Sequence, residues 1–206
     1  LWVSRGLGGN GFGRGADVSG RVPAGCIGLL GCRGVRYGVG VGPGEKRFGE
    51  PALPMRDTHG LGVALVERSS ALGRLVTPWE EGPIPVEMQV RGLETARMEE
   101  ASLAVSANFL KGAMGFREIG SENGWHRYGA GEGQSGQYVD VREVPDARRG
   151  AWGTGSVHHL AWRVDDEAHQ LEVRADGARG GAQPKPVSDR FWFKSVYLKE
   201  PGGGLF

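Results

Sequence analysis

The sequence is short of cysteine, of charge imbalance and of long apolar runs. Only Cys26 and Cys32 occur in 206 residues, and a lone pair with no second pair or histidine cluster beside it matches no zinc spacing. That usage fits a reduced, cytoplasmic protein. Lys+Arg number 25 and Asp+Glu 24, a formal charge of +1, so no net field draws in nucleic acid or an anionic membrane. No apolar stretch approaches the roughly 18 residues of a bilayer span, and no basic-then-apolar signal pattern opens the chain. The expected partner is a small molecule or a protein, with no nucleic acid and no membrane. The first residue is Leu1 rather than Met, which reads as a fragment or a processed product.

What is abundant is glycine, 38 residues against a usual share of about 7%. The excess sits mostly in residues 1–44, where large apolar side chains are too few to predict a packed core. Residues 22–37 in particular carry Gly25, Gly28, Gly31 and Gly34, each a cost to a helix.

Two segments align without a gap: RFGEPALPMRDTHGLGV from Arg47 and RFWFKSVYLKEPGGGLF from Arg190. Each begins Arg-Phe, runs half-apolar to an acidic residue (Asp57 or Glu200), turns at a glycine (Gly60 or Gly203) and becomes apolar again, which predicts one hairpin used twice. Ahead of the second copy the order strand, helix, strands recurs. Ala101, Val105, Phe109 and Ala113 predict one buried helical face. Asp165 or Asp166 is placed to cap a further helix that Gly180 and Gly181 stop. LVTPWEEGPIPVEMQV, with three prolines and paired acids, predicts an exposed connector over about residues 68–90.

Val157 to Val164 predicts a strand with two unlike faces. His158, Leu160, Trp162 and Val164 share one, and His159, Ala161 and Arg163 share the other. On this pattern alone a strand histidine is more often structural than a ligand. A mononuclear oxygenase iron, however, is commonly held by two histidines and a carboxylate, and His159 is a candidate for one of them. His59, His126 and His169 read as solvated. GAGEGQSGQ (129–137) lacks the Lys-Ser/Thr ending of a phosphate loop and predicts a loop between strands.

GTGSVHHLAWRVDDE (153–167) and DRFWFKSVYLKEPGGGLF (189–206), with RFGEPALPMRDTHGLGVALVE (47–67) and VDVREVPDARRGAWGTG (139–155), resemble the ring-cleaving dioxygenases of the vicinal oxygen chelate superfamily, close to the hydroquinone type. The resemblance implies an α+β fold of repeated βαβββ modules whose curved mixed sheets surround a metal cup. It divides the chain into a partial, divergent second module (1–67), a linker (68–90), a third module (91–150) and a fourth (151–206) lacking its last strand. It implies that the intact protein is an enzyme using Fe(II) or Mn(II), a small aromatic substrate and dioxygen, and that this chain, read as a fragment, is inactive alone. His159 would ligate the metal, His158 would stand beside it, Tyr197 would hydrogen-bond the substrate or move its proton, and Arg190 would stabilise charge on substrate or oxygen. On the residues alone, Tyr197 reads as an ordinary strand aromatic and Arg190 as a surface cation. The family's carboxylate ligand would follow Phe206 and its other histidine would precede this chain, so one ligand of three is expected here. Where relatives carry a histidine early in the third module this chain has Glu94, read as a solvated charge. Two alternatives on the same fold are a glyoxalase-like isomerase or lyase and a non-enzymatic small-molecule binder. An uncovered sheet edge predicts self-association into a homo-oligomer.

Overall fold

Val18 and Val22 are buried on one side of a strand whose other side carries Asp17, Ser19 and Arg21. That alternation places β1 (Arg14–Pro23) at the centre of the sheet, where the glycine content predicts little packing. The structure, a computed structural model, describes residues 14–68, 76–151 and 153–206. After β1 come α1 (Ile27–Arg36), β2 (Gly40–Val41), β3 (Glu45–Arg47), β4 (Glu50–Arg56) and β5 (Gly62–Arg68). The helix forms despite its glycines because neighbouring residues hold it: Ile27 N donates to the Glu67 carboxylate at 2.7 Å, and Gly31 approaches Leu53 closely. Tertiary contact overrides propensity.

A second set has the same order: β6 (Leu93–Glu100), α2 (Leu103–Gly112), β7 (Arg117–Glu122), β8 (Trp125–Gly129) and β9 (Tyr138–Glu143). Both sets share one nine-stranded sheet, ordered β2-β4-β5-β1-β6-β9-β8-β7 with β3 on β4. β1 and β6 pair antiparallel at its centre, and each pairs parallel with the last strand of its own set. The loop 129–137 connects β8 to β9 as expected. In the connector, residues 69–75 lie outside the described residues, and a 3-10 turn spans Val86–Met88. The buried face of α2 is Ser106, Ala107, Phe109 and Leu110, whereas Val105 is exposed; the inward stripe follows the 3.6-residue turn and not the simple four-residue step.

Residues 157–206 form a third unit. Asp166 caps α3 (Glu167–Arg179) by accepting from His169 N at 2.8 Å, and Gly180 follows its last residue. Beyond it lie β10 (Gln183–Pro184), β11 (Ser188–Asp189), β12 (Lys194–Ser195) and β13 (Leu198–Lys199). This unit shares its core with α2: Leu160, Leu198 and Phe206 are buried with Phe109 and Leu110, and the Trp162 ring meets Phe116 edge-on at 4.9 Å. The fold is α+β with a large mixed sheet, as expected.

The two aligned hairpins close alike. Asp57 Oδ1 accepts from His59 N and Leu61 N, each at 2.8 Å. Glu200 accepts from Gly202 N and Gly204 N, each at 2.8 Å. Gly60 (φ 87°) and Gly203 (φ 114°) take the left-handed position in both turns, and Phe48 (φ 52°) and Phe191 (φ 70°) correspond as well.

Candidate functional site

Trp162, packed against Phe116, and buried Leu160 fix how the segment around the histidines lies. From Leu160 onward burial alternates, with Ala161 and Arg163 exposed between Leu160, Trp162 and Val164. The expected strand is an extended stretch without a ladder of its own; Leu160 N donates to Leu205 O at 3.0 Å. Gly155 precedes it with φ 82°, and a Cβ there would lie 2.1 Å from the His59 carbonyl oxygen. The turn before the histidine pair is therefore pressed against the turn closed by Asp57.

His158 and His159 are both half-buried, with their Nδ1 atoms 2.9 Å apart and rings nearly perpendicular. One ring must donate and the other accept. The His159 pKa is lowered from the ordinary histidine value, first by burial and then by the adjacent His158, which favours the neutral ring. Tyr197 meets His159 edge-on at a centroid distance of 5.3 Å, and the Arg190 guanidinium lies 5.5 Å from the Tyr197 ring centre. The structure thus brings the adjacent His158 and His159 together with Tyr197 and Arg190, which belong to a separate segment of the sequence.

The hairpin explains the convergence. Ser188 pairs with Ser195 and Asp189 with Lys194, and Arg190 N donates to Phe193 O at 2.9 Å. Lys194 reaches Glu167 of α3, and Leu198 packs on Gly177 of the same helix. Even-numbered positions of this strand face α3, and so Phe193, Ser195 and Tyr197 face the other way, as does Arg190 opposite Phe193. Phe193 and Ser195 were not singled out from the sequence, although alternate spacing from Tyr197 could have found them. A cavity of about 320 Å³ lined by Glu167, Gln170, Leu171, Val187, Asp189 and Lys194 lies on the α3 side, away from the imidazoles.

Glu94 belongs elsewhere. It is 1% exposed and ion-paired with Arg68 at 2.9 Å, not solvated as expected. The pair belongs to a network that fills the helix-free face of the nine-stranded sheet. Arg47 donates to Asp17 at 2.9 Å and Ser19 at 3.0 Å, Arg127 grips Asp140 at 2.7 and 3.0 Å, and Arg127 also lies 3.9 Å from the Phe48 ring centre. His59 is exposed, whereas His126 and His169 are only partly so, each near a carboxylate.

Two imidazoles and a phenol are a partial donor set for iron, which usually also takes a carboxylate. Among the described residues no group of three His, Cys, Asp or Glu side chains is placed to hold a metal ion. The described residues therefore do not fit a complete metal centre by themselves. No helix is long and apolar enough to cross a membrane among the described residues.

No family model matches the chain. It is similar to a Bacillus subtilis protein designated ring-cleaving dioxygenase MhqO, 34% identical over 161 residues, which are 78% of this chain and 50% of that protein. It is also similar to the chlorohydroquinone/hydroquinone 1,2-dioxygenase of Sphingobium indicum, 28% identical over 95% of this chain and 62% of that protein. The chain thus spans about half to three-fifths of the length of these curated relatives. Among solved structures, a Bacillus subtilis protein designated a dioxygenase superposes with a TM-score of 0.87 at 30% identity, covering 100% of this chain and 64% of that one. Glyoxalase I from Zea mays superposes with a TM-score of 0.64 at 14% identity, over 98% of this chain and 68% of that one, a likeness of fold alone. With βαβββ order repeated in one mixed sheet and a histidine pair beside the duplicated hairpin, the chain has the vicinal oxygen chelate fold and is similar in sequence to proteins designated ring-cleaving dioxygenases.

Proposed function

We propose that the protein carrying this sequence is a metal-dependent ring-cleaving dioxygenase acting on a hydroquinone or catechol-like ring. The observation that supports this best is the run of contacts from His158 to His159, from His159 to Tyr197 and from Tyr197 to Arg190. The metal in this reading is Fe(II) or Mn(II), which when bound would bring substrate and dioxygen together as Lewis acid and template. The reading takes 1–67, 91–150 and 151–206 as successive modules and 68–90 as their connector.

Each residue has a task within that proposal. His159 donates its Nδ1 proton to His158, which leaves the Nε2 lone pair of His159 free as a donor atom and fixes the ring's orientation. Burial favours this neutral form. Tyr197 holds or receives a substrate hydroxyl proton beside His159. Arg190 offsets negative charge on a deprotonated ring oxygen. The sequence similarity to proteins designated dioxygenases favours this reading over a glyoxalase-like reaction, for which the support is fold alone.

The test is oxygen uptake with hydroquinone by the intact protein that carries this sequence, together with its iron and manganese content by elemental analysis. His159→Ala is expected to abolish uptake while the circular dichroism spectrum is retained. Equal uptake by wild type and variant would overturn the assignment.

A further inference from the structure

The two aligned hairpins share their turn geometry, but their helix-free faces carry different chemistry. Aligned without a gap, Arg47 falls on Arg190, Glu50 on Phe193, Ala52 on Ser195 and Pro54 on Tyr197. In the first hairpin this face is sealed. Arg47 is buried against Asp17, Ala52 is buried, and Glu50 lies 3.9 Å from Arg68. In the second it is open. Phe193 is 63% exposed, and Arg190 is exposed too.

Ser195 stands between Phe193 and Tyr197 on this face. Its Oγ is shielded from solvent and makes no hydrogen bond among the described residues. A shielded hydroxyl without a partner is costly unless something else satisfies it. Phe193 beside it offers an apolar ring face. Together with Tyr197 and Arg190, the strand lines up an exposed apolar ring, a shielded hydroxyl, a phenol and a cation.

We infer that Phe193 and Ser195 are specificity residues of the site, Phe193 stacking on the ring of a dihydroxybenzene and Ser195 hydrogen-bonding one of its hydroxyl oxygens. The inference rests on the proposed function, whose substrate class it uses. Trp192 is the internal control: it is 86% exposed, adjacent in sequence and at the tip of the same hairpin, yet it does not belong to the alternating set that includes Tyr197.

The experiment is calorimetric titration of the intact protein that carries this sequence with hydroquinone and with phenol under anaerobic conditions, for wild type, Phe193→Ala, Ser195→Ala and Trp192→Ala. The expected result is a loss of about tenfold or more in hydroquinone affinity for Phe193→Ala, as for removal of a stacked aromatic. Ser195→Ala is expected to narrow the preference for hydroquinone over phenol, and Trp192→Ala to leave both affinities unchanged. Wild-type affinity and preference in both Phe193→Ala and Ser195→Ala overturn the inference and leave the proposed function standing. So does an equal loss in Trp192→Ala, since the faces would not be distinguished. Absence of hydroquinone binding by the wild type overturns the proposed function and the inference with it.

Discussion

His158 and His159 point their Nδ1 atoms at each other across 2.9 Å, so one ring donates and the other accepts, and protonating the accepting ring at its Nδ1 removes the contact. The His159 pKa is lowered by burial first and by His158 second. A histidine whose folded pKa lies below its unfolded value contributes stability that is present above about pH 6.5 and is lost as the pH falls through the folded value. Nuclear magnetic resonance titration of the ring protons is expected to find His159 titrating below an unperturbed histidine. In His158→Ala its midpoint should rise but remain depressed, since burial persists. A His159 midpoint at or above the ordinary value would contradict this account.

Gly155→Ala is expected to be disruptive on two independent grounds. The residue has φ 82°, and its Cβ would lie 2.1 Å from the His59 carbonyl oxygen, a backbone atom that cannot rotate away. Strain of this kind costs on the order of 1–3 kcal/mol or more. A lower midpoint in chemical denaturation should accompany a changed chemical environment at His158 and His159, because the same turn sets where they begin. Retention of both wild-type values would show that the turn relaxes freely.

Asp140 is 0% exposed and receives two hydrogen bonds from Arg127, with Arg97 at 3.6 Å. Asp140→Asn keeps the shape but leaves buried guanidinium charge uncompensated, an expected loss of about 3–5 kcal/mol. Urea denaturation would measure it. A change below about 1 kcal/mol would mean that water reaches this face.

Asp57 and Glu200 make matching bonds, yet Asp57 is exposed and Glu200 is 3% exposed. Replacing each by Ala should therefore cost unequally: about 1 kcal/mol for Asp57→Ala, and more for Glu200→Ala, which strands the buried Gly204 amide and the half-buried Gly202 amide. Equal losses would show that burial does not set the cost.

Much of this was legible in local pattern. The duplicated hairpin, the Asp166 cap and the glycine stop of α3 depend on neighbours within a few residues, and alternation alone separates Leu160 and Trp162 from Ala161 and Arg163. What failed depended on distant partners. α1 holds through Glu67 and Leu53, and β1 through strands on both sides. Glu94 is buried because Arg68, on another strand, faces it. Tyr197 meets His159, and Arg190 meets Tyr197, only through the fold of the hairpin, and the sequence pointed to them through family resemblance rather than spacing.

The packing of charge against charge on the nine-stranded sheet also has a bearing on ionic strength. Arg47, Arg97 and Arg127 with Asp17 and Asp140 lie where mobile ions scarcely enter, so added salt should leave that sheet's cohesion nearly unchanged. Arg190 stands in open solvent, and an anionic ligand held there would be released progressively by the same salt. One chain would then show two electrostatic regimes, an insulated scaffold and a screened rim.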